Sequence, residues 1–199
     1  GVTTKLRICG NSSFKSGPNV SLNNCMIPGP KYLNNMEGIL LRFRVANQIA
    51  LGDIKNCYHK IKSCPRDASL RRIFIKPDGM NSDSDWKEAC FDTVSFGDVL
   101  GGATAQAAIS DCSDRFMSAP TRDIVQNSIY MDDLLLGADE DIDKKIKEVD
   151  SSLQQGNFII KSWTKTGDPV DTKCLSYTYH AETDKFSLRP KINWSPKRR

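Results

Sequence analysis

A chain of 199 residues with 39% hydrophobic content is long enough to bury one substantial core and too apolar to remain disordered. Its net charge of +4 and pI near 8.6 are mildly basic, which suits a polyanionic partner without requiring one. No apolar run approaches the roughly 20 residues that cross a bilayer, so a transmembrane helix is excluded and no membrane partner is expected. The seven cysteines (Cys9, Cys25, Cys57, Cys64, Cys90, Cys112 and Cys174) are odd in number and contain no Cys-x-x-Cys pair. That pattern argues against a zinc site and a complete disulfide framework, and for reduced thiols in an intracellular compartment.

Taken in chain order, Gly1 to Leu6 read like the middle of a strand with no initiator Met, as expected of a piece of a longer polypeptide. "PKYLNNMEGILLRFR" (30–44) sets Leu33, Met36, Leu40 and Phe43 at helical spacing and predicts an amphipathic helix. "QIALGDI" (48–54) predicts a buried strand that delivers Asp53 at its end. "LRRIFIKPDG" (70–79) predicts a strand running into a turn at Pro77, Asp78 and Gly79, followed by a polar, mobile excursion over "NSDSDWKEA". From Gly101 to Ser118, Ala105, Ile109, Cys112 and Phe116 form one helical stripe, with Gly101-Gly102 at the helix entrance.

"SIYMDDLLLGADED" (128–141) predicts a hairpin with Asp132 and Asp133 at its tip. Asp141 and Asp143 open a helix with Ile142, Ile146, Val149 and Leu153 on one face, closed by Gly156. "NFIIKSW", "KCLSYTYH" and "KFSLRP" predict further strands, the last two joined by "AETD". A central antiparallel hairpin with helices behind it predicts an α+β fold with a sheet of split βαβ, ferredoxin-like type. No repeat or low-complexity tract interrupts it, and "SPKRR" is the one charge cluster.

The doubled aspartate is the feature that points to chemistry. A two-residue turn favours Asn-Gly or Asp-Gly and has no use for two negative charges, and crowding carboxylates raises their energy unless a cation sits between them. With Asp53 as a third hard oxygen ligand, the set suits Mg²⁺ sites that also hold substrate phosphates. A bare Asp-Asp read alone is an ordinary polar turn; the apolar flanks that place it in the sheet centre argue otherwise.

Several stretches carry a resemblance. "YMDD" (130–133) resembles the signature of reverse transcriptases. "LGDIKNCYHKI" (51–61) resembles that family's first palm motif, with Asp53 followed five positions later by Tyr58, and "SFGDVLGGATAQ" (95–106) is similar to its "FGLxxAPxxFQ" motif, with Phe96, Gly97 and Gln106 in register. "VSLNNCMIPGP", "ILLRFR", "QGNFIIKSW" and "LSYTYHAETDKFSL" resemble segments of the BEL/Pao group of LTR retrotransposons, from about Leu6 to Leu188. Three positions depart from the family's common residues: Asn11 (Asp), Gly102 (Pro) and Ser176 (Gly).

The resemblance implies a reverse-transcriptase fingers-palm fragment spanning 1–199. Fingers parts fall at about 1–30 and 60–95, palm at about 31–59 and 96–190, and neither thumb nor RNase H domain is included. It implies an RNA- and DNA-directed DNA polymerase that transfers deoxynucleotides to a primer 3′-end on an RNA or DNA template. The cofactor would be two Mg²⁺ ions, with Mn²⁺ as a substitute, held by Asp53, Asp132, Asp133 and the backbone carbonyl of Ile54. Nucleotide contacts fall to Arg7 (triphosphate), Tyr58 (beneath the sugar), Phe96, Gly97 (close backbone approach), Gln106 and Lys161 (proton donor to pyrophosphate). The rest of a polyprotein, with thumb and RNase H, is the implied partner, in a cytoplasmic particle or the nucleus. The alternative is a degenerate or domesticated copy that keeps the fold as a non-catalytic binding module; a metal nuclease using the same carboxylates would not need Tyr58 or the "FG…ATAQ" segment.

Overall fold

The computed structural model describes residues 10–15, 17, 19–79 and 83–188. In chain order these form α1 (Met36–Val45), β1 (Gln48–Ile54), the short α2 (Pro65–Ala68), β2 (Arg72–Ile75) and β3 (Lys87–Cys90). Then come α3 (Gly101–Phe116), α4 (Ala119–Ser128), β4 (Ile129–Tyr130), β5 (Asp133–Ala138), α5 (Ile142–Gln155) and β6 (Ile160–Lys165). A meander of β7 (Asp171–Cys174), β8 (Tyr177–His180) and β9 (Lys185–Leu188) follows. The fold is α+β with antiparallel sheets. No helix among the described residues is long and apolar enough to cross a membrane.

The central sheet has the order β4-β5-β1-β6, and every neighbouring pair is antiparallel. It follows that β1 and β4 run parallel with β5 between them, and β5 and β6 run parallel with β1 between them. Both are split βαβ units, the first crossing through α3 and α4 and the second through α5, as the alternation of elements predicts. The period-two alternation of β1 and β5 feeds two separate cores. Ala50, Ile54, Leu134 and Leu136 pack with Ala105, Ile109 and Cys112 of α3 and Ile146, Val149 and Leu153 of α5. Ile49, Leu51 and Leu135 pack on the other face with Ile39 and Phe43 of α1 and Tyr179 of β8. Buried on both faces, these strands read as near-continuous apolar runs.

Several boundaries differ from the sequence-based expectations, each for a local reason. Asn35 caps α1 by accepting from the Gly38 amide at 2.8 Å, so the helix starts one turn later than the apolar spacing implies. Leu33 and Met36 are consequently exposed, and Ile39 joins Phe43 on the buried stripe in their place. The excursion after β2 is shorter than expected, because Lys87–Cys90 pairs with Arg72–Ile75. Phe116, the last residue of the α3 stripe, is partly exposed at the helix end.

Helix α4 was missing from the expected elements. Pro120 is admissible in its first turn, and Glu148 of α5 reaches across to accept from the Ser118 and Thr121 hydroxyls, both at 2.6 Å. Those hydrogen bonds hold the Glu148 carboxyl below its usual range. An anchor supplied from another helix leaves no signature in the local sequence.

"KCLSYTYH" is two strands, not one. Leu175 and Ser176, with φ of +46° and +72°, make a two-residue turn between β7 and β8. A turn with two left-handed residues favours glycine. Ser176→Gly is therefore expected to raise stability by about 1 kcal/mol, or roughly 2–4 °C in Tm; an unchanged or lowered unfolding midpoint would show that the turn carries no strain.

Candidate metal centre

Register brings the carboxylates together. Asp53 of β1 and Asp133 of β5 are direct cross-strand partners, one step beyond the Gly52–Leu134 pair. The strand alternation puts them on the same face as Leu51 and Leu135, at the strand ends where the apolar cover stops. Like charges directly opposite one another destabilise a sheet, so nothing in strand pairing itself explains this pair.

Asp132 completes the set from the turn rather than from a strand. The turn residues are Met131 and Asp132, and Asp133 is already the first residue of β5, so the expected Asp132-Asp133 tip is displaced by one. Met131 takes φ +57° without being glycine, a conformation that costs energy in a bulky residue and that concentrates at functional sites. The Asp132 carbonyl accepts from the Ile54 amide at 2.8 Å, which ties the turn to the end of β1. One carboxylate oxygen from each of Asp53, Asp132 and Asp133 lies within 4.8 Å of the others, and all three side chains are half-buried.

The electrostatics match this crowding. Burial, then the Asp132 charge and less strongly the Asp53 charge, push the Asp133 carboxyl up to about 6, against a lowering hydrogen bond from the Leu175 backbone in the β7–β8 turn. Cys57 lies beside Asp132 and Asp53, and Cys174 beside Asp133; burial and those charges push both thiols up to about 12. The set whose ligand atoms come within reach of one another holds neither of these thiols. The donor set is therefore three hard oxygens with no soft or nitrogen ligand, which fits Mg²⁺ or Mn²⁺ and disfavours Zn²⁺.

The remaining residues singled out in the sequence fall into four groups. Near the triad, Tyr58 is 7% exposed and packs against Phe96 at a tilt of 55°, with ring centroids 4.7 Å apart, while burial and the Asp132 charge raise its hydroxyl pKa. Ile54 is buried. Lys161 is exposed on β6 in a bulge: Gly52 pairs with Trp163 and Ile54 with Ile160, so Lys161 and Ser162 together lie opposite Asp53.

Gly97 has a structural cause for being glycine. Its φ is +102°, and a Cβ there would collide with the Gly10 carbonyl oxygen. The loop that carries Phe96 and Gly97 is latched by Asp98, whose carboxylate accepts from Arg71 Nε at 2.7 Å and Ser12 Oγ at 2.6 Å. Asn23 adds a bond to the Gly97 carbonyl at 2.8 Å and accepts from the Val99 amide at 2.9 Å. The sequence reading passed over Asp98, Arg71 and Asn23.

Gln106 stands apart. It is buried in α3, its Nε2 has no hydrogen-bond partner, and it lines a cavity of about 340 Å³ with Ser110 and Gln126. A groove of about 970 Å³ between α1, α4 and α5 is bordered by Arg42, Asp123, Lys144 and Glu148. Neither space touches the three aspartates. Arg7 lies outside the described residues, as does Cys9; the six other cysteines are free thiols.

One further set of catalytic-type side chains went unnoticed in the sequence. His180 Nδ1 is 2.9 Å from Asp171 Oδ1, and His180 Nε2 is 2.8 Å from Ser187 Oγ. They span β7, β8 and β9 on the face opposite Tyr179, Asp171 is largely exposed, and neither cavity borders them. They form a cross-strand hydrogen-bond ladder that ties β7, β8 and β9 together. No protein-family model matches the chain, and no curated protein matches it.

Proposed function

We propose that this chain is the fingers-palm part of a reverse transcriptase of the BEL/Pao type, acting in nucleotidyl transfer to a primer 3′-end on an RNA or DNA template. The observation that carries the reading is the Asp53–Asp133 cross-strand pair, joined by Asp132, at one end of a sheet of two split βαβ units. On this reading the central sheet with α3 and α5 is the palm, and β2–β3 belongs to the fingers. The working site is intracellular, and the partners are template-primer, deoxynucleotides and the remaining parts of a polyprotein.

When bound, Mg²⁺ supplies Lewis-acid stabilisation of the attacking and leaving oxygens in an in-line displacement. Asp53, Asp132 and Asp133 would hold it, with the Ile54 carbonyl as a further ligand. Tyr58, fixed by Phe96 and by Gly101 (where a Cβ would lie 3.3 Å from its ring), forms a rigid wall for the sugar. The latched Phe96–Gly97 loop borders that wall, and Arg7 neutralises the triphosphate. Lys161, presented by the bulge across from Asp53, carries the proton for the leaving pyrophosphate.

Primer extension on an RNA template with Mg²⁺ and deoxynucleotides tests the reading, comparing this chain, its Asp132→Asn variant and a longer chain with a thumb. Extension by either parent that is lost in the variant supports it. If neither parent extends a primer and neither binds Mn²⁺, the reading fails and the non-catalytic binding module takes its place.

A further inference from the structure

The two strands that flank Asp53 are held very differently. On one side β5 pairs in unbroken register. On the other, β6 places two residues, Lys161 and Ser162, against Asp53 alone. A bulge of this kind follows from side-chain demand: Ile160 and Trp163 both pack toward the α3–α5 core, although in a regular strand residues three apart point to opposite faces.

Trp163 is the better fixed of the two. Its Nε1–H donates to the Asp150 carboxylate of α5, at 3.1 Å to Oδ1 and 3.2 Å to Oδ2. Its ring lies flat over Gly52, where a Cβ would stand 2.8 Å from Cζ3 and 3.0 Å from Cε3 and Cη2. Only glycine lets the indole reach this position, and Gly52 is the residue immediately before Asp53. Beyond the bulge, the Lys55 amide donates to the Ile159 carbonyl at 2.8 Å and closes the pairing.

We propose that Trp163, held by Asp150, is a positioning residue: it clamps the Gly52 backbone and fixes the β6 bulge, and thereby sets Asp53 opposite Asp133 with Lys161 and Ser162 across from it. The clamp acts through Asp53 and touches no substrate. The inference rests on the metal-site reading above, and adds to it a chain of contacts from α5 to the ligand set.

The test is Mn²⁺ affinity, read by electron paramagnetic resonance, together with hydrogen exchange at the Lys55 amide in the metal-free protein. Trp163→Phe keeps a ring over Gly52 and removes the indole N–H, and is expected to weaken Mn²⁺ binding about 10-fold, as loss of an outer partner of a metal ligand does. Asp150→Ala should match it, and the double variant should be no worse than either single one, because both remove the same bond. Asp150→Asn retains an acceptor and should keep most of the affinity. Lys55 should exchange faster in the two weakened variants.

Parent-like Mn²⁺ affinity and parent-like Lys55 exchange in both Trp163→Phe and Asp150→Ala would overturn the clamp, while loss of binding in Asp53→Asn would leave the metal site standing. Additive losses in the double variant would also overturn it. A parent protein that binds no Mn²⁺ would instead remove the metal site itself, and with it the clamp's role, even if Lys55 loosened in the variants.

Discussion

Asp133→Asn is expected to abolish primer extension while making the metal-free protein more stable. On the proposed reading, loss of extension follows from removing a charged metal ligand where negative charge has to be stabilised, and a drop of at least about 100-fold is in keeping with the removal of one such group. The gain in stability follows from what holds Asp133 up to about 6, namely burial first and the Asp132 and Asp53 charges after it. Each pKa unit corresponds to about 1.4 kcal/mol, and screening at this half-buried site reduces the recoverable part to about 1–2 kcal/mol. The amide oxygen of Asn can still accept from the Leu175 backbone, so the β7–β8 turn keeps its anchor.

The same shift fixes the pH dependence. The native Asp133 carboxyl keeps its proton up to about 6, whereas the unfolded chain releases it near the ordinary carboxylate value of 3.8. Between those values the native state binds more protons than the unfolded state, so the metal-free protein loses stability as pH rises from about 4 to about 6, and holds level above that window as far as this group is concerned. Asp133→Asn should flatten the profile. Millimolar Mg²⁺ should raise the parent's Tm above pH 6 and leave the variant's almost unchanged, because a ligand stabilises only the state that binds it. A parent and variant with coincident thermal profiles from pH 4 to 8 would mean that the cross-strand pair carries no electrostatic strain.

Asp98→Ala should be the most destabilising single change in the loop that carries Phe96 and Gly97. The Asp98 side chain is fully buried and Arg71 is 7% exposed, with 2.7 Å between their charged atoms. Removing one partner strands the other charge in the interior, which costs about 3–5 kcal/mol; Ser12 loses its acceptor as well. Three segments meet here: the chain around Ser12, the turn before β2 that holds Arg71, and the loop leading into α3. Chemical denaturation should show a midpoint well below the parent's. Milder substitution to Asn, which keeps an acceptor for Arg71, should retain more of the stability and raise the KM for deoxynucleotide more than it lowers kcat, because the loop borders the Tyr58 wall. If Asp98→Ala unfolds at the parent's midpoint, the pair is offset by the desolvation it requires.

Much of the architecture was legible because it rests on periodicity and punctuation. β1 runs over Gln48–Ile54 and ends beside Asp53, as the apolar run and its terminal carboxylate imply. α5 is capped by Asp141, closed by Gly156 and buries Ile142, Ile146, Val149 and Leu153. These signals are local, and the packing agrees with them. The three aspartates were nameable for the same reason: charge placed where apolar strands predict a buried sheet is a conflict visible in one dimension.

What the sequence left open are features whose cause lies elsewhere in the chain. The start of α4 is anchored by Glu148 of another helix, Gly97 is required by the Gly10 backbone, and Asp98 is held by Arg71 and Ser12. The direct opposition of Asp53 and Asp133 depends on strand register, and the bulge opposite Asp53 on a tryptophan that has to reach α5. The sequence by itself determined which elements form and which residues carry charge into the sheet, since both follow from neighbours within a few positions. Only the tertiary structure decided which carboxylates face each other, at what spacing, and with what protonation, since pairing, burial and desolvation depend on residues far apart in the chain.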